Sequence, residues 1–353
     1  MRHEPPCPTR RRLLLQATGA AAFLAAPWPS RAQRLRDRVS DPAVAAPDAD
    51  VHTLEWTDPA RRRALPLRLR LPPGDAAVPL VLFSHGLGGD LDAGTWWAQA
   101  WARAGIATLH LQHPGSDSTV ARQGARALVA AADGEQLRAR AADVAFVLDE
   151  LARQQVRGDA LLRRLRADAV GLAGHSFGAH TTLAVAGQRL GPGGRSTLAD
   201  KRPRAFAAFS PSPGQRNDPG DAFAAITRPV LCLTGSGDSD PLGLTAFNAG
   251  EDRSADGRWR RAVFDALPAG DKAELWLDGA DHASFHGTDP GGGRWRARRR
   301  DAAAREQAPR HRALIEAAST LWWRAQLLDD AAARAALARP PAGVGAADEW
   351  RRG

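Results

Sequence analysis

A serine set between two glycines, directly after an apolar run, constrains this chain more than any other feature. Gly174-His175-Ser176-Phe177-Gly178 reads G-x-S-x-G. The preceding Ala169-Val170-Gly171-Leu172-Ala173 is small and apolar, as a buried strand is, and residues 179–189 read as a helix. A strand that turns this sharply into a helix leaves no room for side chains two positions either side of the serine, and glycine has none. The strained turn lifts the hydroxyl above the sheet edge, within reach of a base. Ser176 is therefore the candidate nucleophile. A glycine-rich strand–helix turn occurs in many α/β proteins, so the assignment depends on partners elsewhere in the chain.

The 353 residues are 44% hydrophobic and 25% charged, which suits one large α/β domain with a sizeable core. Lysine occurs at Lys201 and Lys272, so the basic charge is almost all arginine; with abundant Ala and no Tyr this is a GC-rich codon bias rather than chemistry. Of the formal net charge of +9, five Arg and one Glu in the first 32 residues supply +4, leaving +5 for the rest. A second cluster, Arg294, Arg296, Arg298, Arg299 and Arg300 around Trp295, follows no nucleic-acid motif and is expected to be a solvated loop. No nucleic-acid partner is expected.

The N-terminus has the form of an export signal. Thr9-Arg10-Arg11-Arg12-Leu13-Leu14 is a twin-arginine pattern, followed by a weakly apolar stretch at 13–26 that is too short to span a membrane. Ser30-Arg31-Ala32 is a small-x-small cleavage site, which makes 1–32 the signal and Gln33 the first residue of the mature chain. The expected location is periplasmic or secreted, with no integral membrane segment once the signal is removed. Cys7 would leave with the signal and Cys232 would stand alone, so no internal disulfide is expected.

The Asp-, Ala- and Pro-rich residues 33–50 form a lead-in. Residues 51–56 and 65–71 alternate apolar and polar, as half-buried antiparallel strands do. Six continuous apolar runs follow, at 79–83, 106–111, 169–173, 204–209, 229–233 and 273–277, separated by helical stretches. The pattern predicts an α/β fold: an eight-stranded, mostly parallel sheet with helices on both faces. Leu137, Ala141, Val144, Leu148 and Leu151 make one apolar stripe on a long helix. Leu314, Ala317, Ala318, Leu321, Gln326 and Leu328 belong to a C-terminal helix. The domain is set at 51–339, with a flexible tail at 340–353.

A serine hydroxyl needs a base, and the base needs an acid to hold its tautomer. The acid is expected just past the strand at 229–233, in Thr234-Gly235-Ser236-Gly237-Asp238-Ser239-Asp240-Pro241. Asp238 and Asp240 both qualify; Asp238 is preferred because a tight turn there points its carboxylate along the sheet edge. The base is expected after the strand at 273–277, where His282 stands closer to the strand end than His286. Asp281 reads as a loop cap. Two backbone N–H groups must meet the developing oxyanion. Phe177, after the nucleophile, supplies one. Leu87 supplies the other, from the loop Phe83-Ser84-His85-Gly86-Leu87-Gly88-Gly89-Asp90, which lacks the lysine of a phosphate-binding loop.

Together, Phe83-Ser84-His85-Gly86-Leu87-Gly88-Gly89, Gln112-His113-Pro114-Gly115-Ser116-Asp117, Gly174-His175-Ser176-Phe177-Gly178-Ala179, Ser210-Pro211-Ser212 and the Asp238 and His282 loops resemble one branch of the α/β-hydrolases. That branch contains the platelet-activating-factor acetylhydrolases and the bacterial dienelactone-hydrolase-like proteins. The resemblance covers roughly residues 51–330. It implies an α/β-hydrolase fold and oxyanion donors at Leu87 and Phe177. True dienelactone hydrolases use a cysteine nucleophile, whereas this chain has Ser176, so that label does not give the reaction. The expectation is an exported serine hydrolase acting on a small-molecule or lipid-like ester through an acyl-enzyme, with no cofactor and no metal. The alternatives are an acyltransferase on the same triad and a catalytically silent binding protein. Trp96 and Trp97 are pocket wall or helix packing, and 116–134 is a lid or a surface loop. His175 and His180 read as packing or hydrogen-bonding residues, and His85, His110 and His113 have no metal-ligand spacing.

Overall fold

The apolar runs pair into a single sheet. The computed structural model describes residue 1 and residues 49–214, 218–240, 256–288 and 302–353. Residues 2–32 of the expected signal, nearly all of the lead-in and the arginine cluster at 294–300 lie outside the described residues. Among the described residues the strands are β1 (Asp50–Asp58), β2 (Arg63–Leu71), β3 (Val78–Ser84), β4 (Ala107–Leu111), β5 (Leu165–His175), β6 (Ala205–Phe209), β7 (Val230–Gly237), β8 (Lys272–Asp281) and β9 (Glu349–Arg352). All belong to one unit, residues 46–353. Their spatial order is β1-β2-β4-β3-β5-β6-β7-β8-β9. Pairing is parallel from β4 through β3, β5, β6 and β7 to β8. It is antiparallel at β1–β2, β2–β4 and β8–β9. Every residue of β3, β4 and β6 is buried, because a parallel sheet is covered on both faces.

Each buried strand divides its side chains between two cores, since successive residues point to opposite faces. Leu80 and Leu82 of β3, Phe206 and Ala208 of β6, and Val230 and Cys232 of β7 face one core. Val81 and Phe83, Ala205, Ala207 and Phe209, and Leu231 and Leu233 face the other. The helices in chain order are α1 (Thr95–Arg103), α2 (Ser118–Arg122), α3 (Ala125–Ala130), α4 (Gly134–Arg157), α5 (Phe177–Ala186), α6 (Pro219–Phe223), α7 (Ala262–Ala266), α8 (Ala302–Leu327) and α9 (Ala331–Ala336). Helix α4 contributes Ala141, Val144, Val147, Leu148 and Leu151 to the first core. Asp133 caps its start by accepting from Gln136 N at 2.7 Å, and Gly158 ends it in the left-handed conformation. Helices α1 and α8 cover the second core with Trp97, Trp101, Ile315, Trp322 and Trp323. Gly171 of β5 has no Cβ because the Trp323 ring occupies that space.

Two expectations are corrected. The tail at 340–353 does not stay loose: Glu349–Arg352 forms β9 against β8, pairing Trp276 with Glu349 and Ala273 with Arg352, so the sheet has nine strands rather than eight. The strand Glu-Trp-Arg-Arg is too short and charged to read as an apolar run; Trp350 packs on the second core and donates to Leu337 O at 3.0 Å, and ion pairs flank it. Arg351 bonds the buried Glu274 at 2.6 Å and Asp265 at 2.9 Å, Glu349 meets Arg261 at 2.5 Å and Arg352 meets Asp271 at 2.6 Å. The segment 116–134, expected as a lid or a surface loop, carries α2 and α3. On α8 the buried stripe is Leu314, Ile315, Ala318, Trp322, Trp323 and Ala325, whereas Ala317 is exposed and Leu328 lies beyond the helix end.

Candidate active site

Ser176 sits where β5 turns into α5, with φ 55° and ψ −114°, a strained backbone for a residue other than glycine. Its N–H donates to Phe209 O at 2.9 Å, which ties the turn to β6. A Cβ on Gly174 would collide with the Gly178 carbonyl, and one on Gly178 would collide with Ser84 O. The two glycines thus let β5, α5 and the end of β3 close around the serine.

His282 opens the 3-10 turn His282–Phe285 after β8. Asp281 caps that turn: its carboxylate accepts from Ser284 N at 2.8 Å, and Ser284 Oγ accepts from Asp281 N at 3.2 Å. His282 Nε2 lies 3.0 Å from Ser176 Oγ, and its Nδ1 lies 2.8 Å from Asp238 Oδ1. An ionised carboxylate can only accept, so Nδ1 carries the proton and Nε2 is the acceptor facing the serine hydroxyl. His175 Nε2 donates to His282 O at 3.1 Å and holds the turn from the strand side. The His286 ring packs edge-on against His175, 5.5 Å between centroids, rather than against Ser176.

The carboxylate on His282 is that of Asp238, which is fully buried at the end of β7. Asp240 lies two residues on and is half-buried, close enough to His180 for its charge to act there. Asp238 takes donors the sequence did not reveal. Ser210 Oγ lies 2.7 Å from both carboxylate oxygens and 2.8 Å from His282 Nδ1. Thr234 Oγ1 donates to Oδ2 at 2.9 Å, and Arg260 Nε lies 3.0 Å from Oδ1. Burial pushes the Asp238 carboxyl up, but the Arg260 charge, the bond to and charge of His282, and the Ser210 hydroxyl outweigh it and hold the group below the ordinary carboxylate range. Ser210 has φ 58°, a strained backbone where β6 ends.

The loop after β3 passes beside Ser176: a Cβ on Gly86 would lie 3.5 Å from Ser176 Cβ. Gly86 O accepts from Gly89 N at 3.0 Å and from His85 Nδ1 at 2.7 Å. The Gly86–Leu87 peptide is trans, so fixing that carbonyl turns the Leu87 N–H the opposite way. His113 N donates to His85 Nε2 at 3.0 Å, which leaves His85 neutral with its proton on Nδ1. Burial, then the Arg140 charge, hold His85 well below the ordinary imidazole range. Phe177 is the first residue of α5, so its N–H has no intrahelical acceptor. Among the described residues neither amide meets an acceptor.

A buried polar layer lies beneath this loop. Arg140 of α4 donates to Ser84 Oγ at 3.0 Å, Ser116 Oγ at 3.1 Å and Thr181 Oγ1 at 3.0 Å, and also to His85 O. Burial pushes its guanidinium down to about 9, still charged at neutral pH. His113 bonds Ser84 Oγ through Nε2 and Asp143 through Nδ1, each at 2.9 Å. Asp143 also meets Arg61 at 2.7 Å and Arg63 at 2.8 Å. Above the loop, Leu87, Leu128 and Ala131 form a small apolar cluster with Val120, Ala121, Ala132 and Phe177 against it. The 116–134 segment therefore shares one apolar cluster with Leu87 and Phe177. Trp97 is fully buried and stacks on Phe209 at 6.0 Å, so it is packing rather than pocket wall.

No family model and no curated protein matches this chain. The geometry itself defines what the site can do: move a proton from a serine hydroxyl to an imidazole backed by a buried carboxylate, beside two free amides. Among the described residues no three His, Cys, Asp or Glu are grouped to hold a metal ion.

Proposed function

We propose that this protein is an α/β-hydrolase that cleaves carboxylic esters, related to the platelet-activating-factor acetylhydrolase-like and dienelactone-hydrolase-like branch. The observation that carries the reading is the continuous chain from Ser176 Oγ through His282, 3.0 Å and 2.8 Å long at its two links, to the buried Asp238. It begins at a strained strand–helix elbow, and its members follow in the order serine, acid, histidine. His282 Nε2 takes the Ser176 proton as Oγ attacks the ester carbonyl carbon. The carbonyl oxygen becomes an anion received by the Leu87 and Phe177 amides, one such donor being worth about 3 kcal/mol of barrier. The positive end of α5 adds to that field. His282 returns the proton to the departing alcohol, leaving an acyl group on Ser176. Water, deprotonated by the same imidazole, then releases the acid and restores the hydroxyl. Asp238 orients the ring and balances its transient charge.

The substrate is a small-molecule or lipid-like ester, and the N-terminal twin-arginine pattern supports export to the periplasm or beyond. The test is labelling by a fluorophosphonate probe together with turnover of nitrophenyl esters graded by acyl length. Native protein is expected to label at Ser176, and Ser176→Ala to lose both labelling and turnover. Absence of labelling in native protein would return the chain to the class of silent binding proteins. Ester products in place of free acid, when an alcohol is added, would make it an acyltransferase. Mass spectrometry of exported protein beginning near Gln33 checks the signal; an intact N-terminus there would overturn export.

A further inference from the structure

Arg260 is bound into the Asp238 side of the site more tightly than a surface arginine can be. It stands in the 3-10 turn Arg258–Arg261, before α7. Gly257, at the start of that turn, lies so close to Gly235 O that any side chain there would collide, and its N–H donates to Ser236 O at 3.0 Å. This docking against the end of β7 drives the Arg260 side chain inward until the residue is 4% exposed. Its Nε donates to Asp238 O at 2.7 Å and lies 3.0 Å from Asp238 Oδ1. Nη1 donates to Ser210 O at 3.2 Å and Pro211 O at 3.0 Å, and Nη2 to Ser239 O at 3.0 Å. The guanidinium stacks 4.3 Å from the Trp259 ring centroid. A buried cation costs several kcal/mol in lost hydration unless its N–H groups are satisfied, and here each nitrogen has an oxygen partner. One planar fork thus joins the ends of β6 and β7 to the turn that carries it.

We propose that Arg260 is a positioning residue that holds the Asp238 carboxylate and the Ser210–Pro211 backbone in register with His282, so that its charge sets the acid limit of activity. The proposal rests on the serine-hydrolase reading above. The groups facing Asp238 are His282 from the turn after β8, Arg260 itself, and the neutral hydroxyls of Ser210 and Thr234. Arg260 Nη2 also lies 3.4 Å from His282 Nδ1, and its charge reaches His180 of α5, where Asp240 opposes it. Without the guanidinium, burial pushes the Asp238 carboxyl up against fewer opposing groups. A protonated Asp238 cannot keep His282 in the tautomer that leaves Nε2 free to accept.

The experiment measures the pH dependence of fluorophosphonate labelling rate and of kcat/KM in the full chain, for the wild type, Arg260→Gln, Arg260→Met and Arg260→Lys. Wild-type labelling comes first; if it fails, the hydrolase reading fails and not this inference alone. The neutral variants are expected to move the acid limb up by about half a pH unit or more, as loss of a contacting opposite charge does. Arg260→Lys keeps the charge and loses the fork, so its limb stays near the wild type while its rate falls several-fold. An unmoved acid limb in folded, labelled Arg260→Gln or Arg260→Met would overturn the proposal. So would an Arg260→Lys limb displaced as far as theirs. Loss of the folded state in both neutral variants, read by circular dichroism, would overturn it too, by making Arg260 a structural anchor alone.

Discussion

Asp238 and Asp240 are two residues apart, yet their surroundings differ enough to predict opposite outcomes. Asp238 is buried on His282 and receives Ser210, Thr234 and Arg260, whereas Asp240 is half-buried and its charge is directed at His180. Asp238→Asn is expected to lower kcat by roughly 10⁴-fold through the wrong imidazole tautomer, and Asp240→Asn to stay within a few-fold. Steady-state kinetics on a nitrophenyl ester decide it, and a larger loss at Asp240 would reverse the assignment. That Ser176, Asp238 and His282 come together was legible because each stands just past an apolar run, in the order serine, acid, histidine that the expected fold requires. Their supports were not. Arg260 is one arginine among many in an arginine-rich chain, and its burial follows from a backbone contact between Gly257 and Gly235 that no local pattern announces. Ser210, just past the end of β6, and Thr234, within β7, are hydroxyl residues that stand out only once both meet the Asp238 carboxylate.

At the scale of elements, glycine serves two distinct purposes, and substitution separates them. Gly158 ends α4 at φ +90° with nothing within 4 Å of the Cβ position, so Gly158→Ala carries backbone strain alone and is expected to cost about 1 kcal/mol. A Cβ on Gly178 meets the Ser84 carbonyl, so Gly178→Ala must move β3 or α5 and is expected to cost about 3 kcal/mol or more. Urea unfolding curves compare the two; equal midpoints would mean the elbow relaxes freely. The six strands expected from continuous apolar runs and the two expected from alternation all form; the continuous runs have to be buried. Strand β9 escaped notice because three of its four residues are charged and a single Trp makes no apolar run. Arg351→Met would strand the buried Glu274 with one partner fewer, for an expected loss of about 3 kcal/mol read in the same urea series. A midpoint equal to wild type would mean that the sheet edge is held by backbone pairing alone.

Over the whole molecule, buried histidines set the first response to acid. Burial holds His85 well below its ordinary range, His110 near 3 and His113 near 4. In the unfolded chain these imidazoles take protons near pH 6.5, so between there and about 4 the unfolded state binds more protons and stability falls as pH falls. Asp143 and Asp238, both held below the carboxylate range, add their loss at lower pH still. Melting temperature is therefore expected to decline from about pH 6.5 downward, before Asp143 and Asp238 titrate; a flat profile to pH 4.5 would refute it. Sequence patterning yielded the two-sided sheet but not this polar layer, because Arg140 and Asp143 lie on the same face of α4 as Ala141 and Val144 and interrupt no apolar period. One consequence concerns what makes a hydroxyl reactive. Ser84, His113 and Asp143 repeat the atom order of Ser176, His282 and Asp238, with links of 2.9 Å and 2.9 Å. All three are sealed from solvent, and Arg140 donates to the Ser84 oxygen at 3.0 Å. Distance alone cannot tell the two relays apart; access can. The inner relay lies out of reach of a covalent probe, so labelling is expected at Ser176 and not at Ser84.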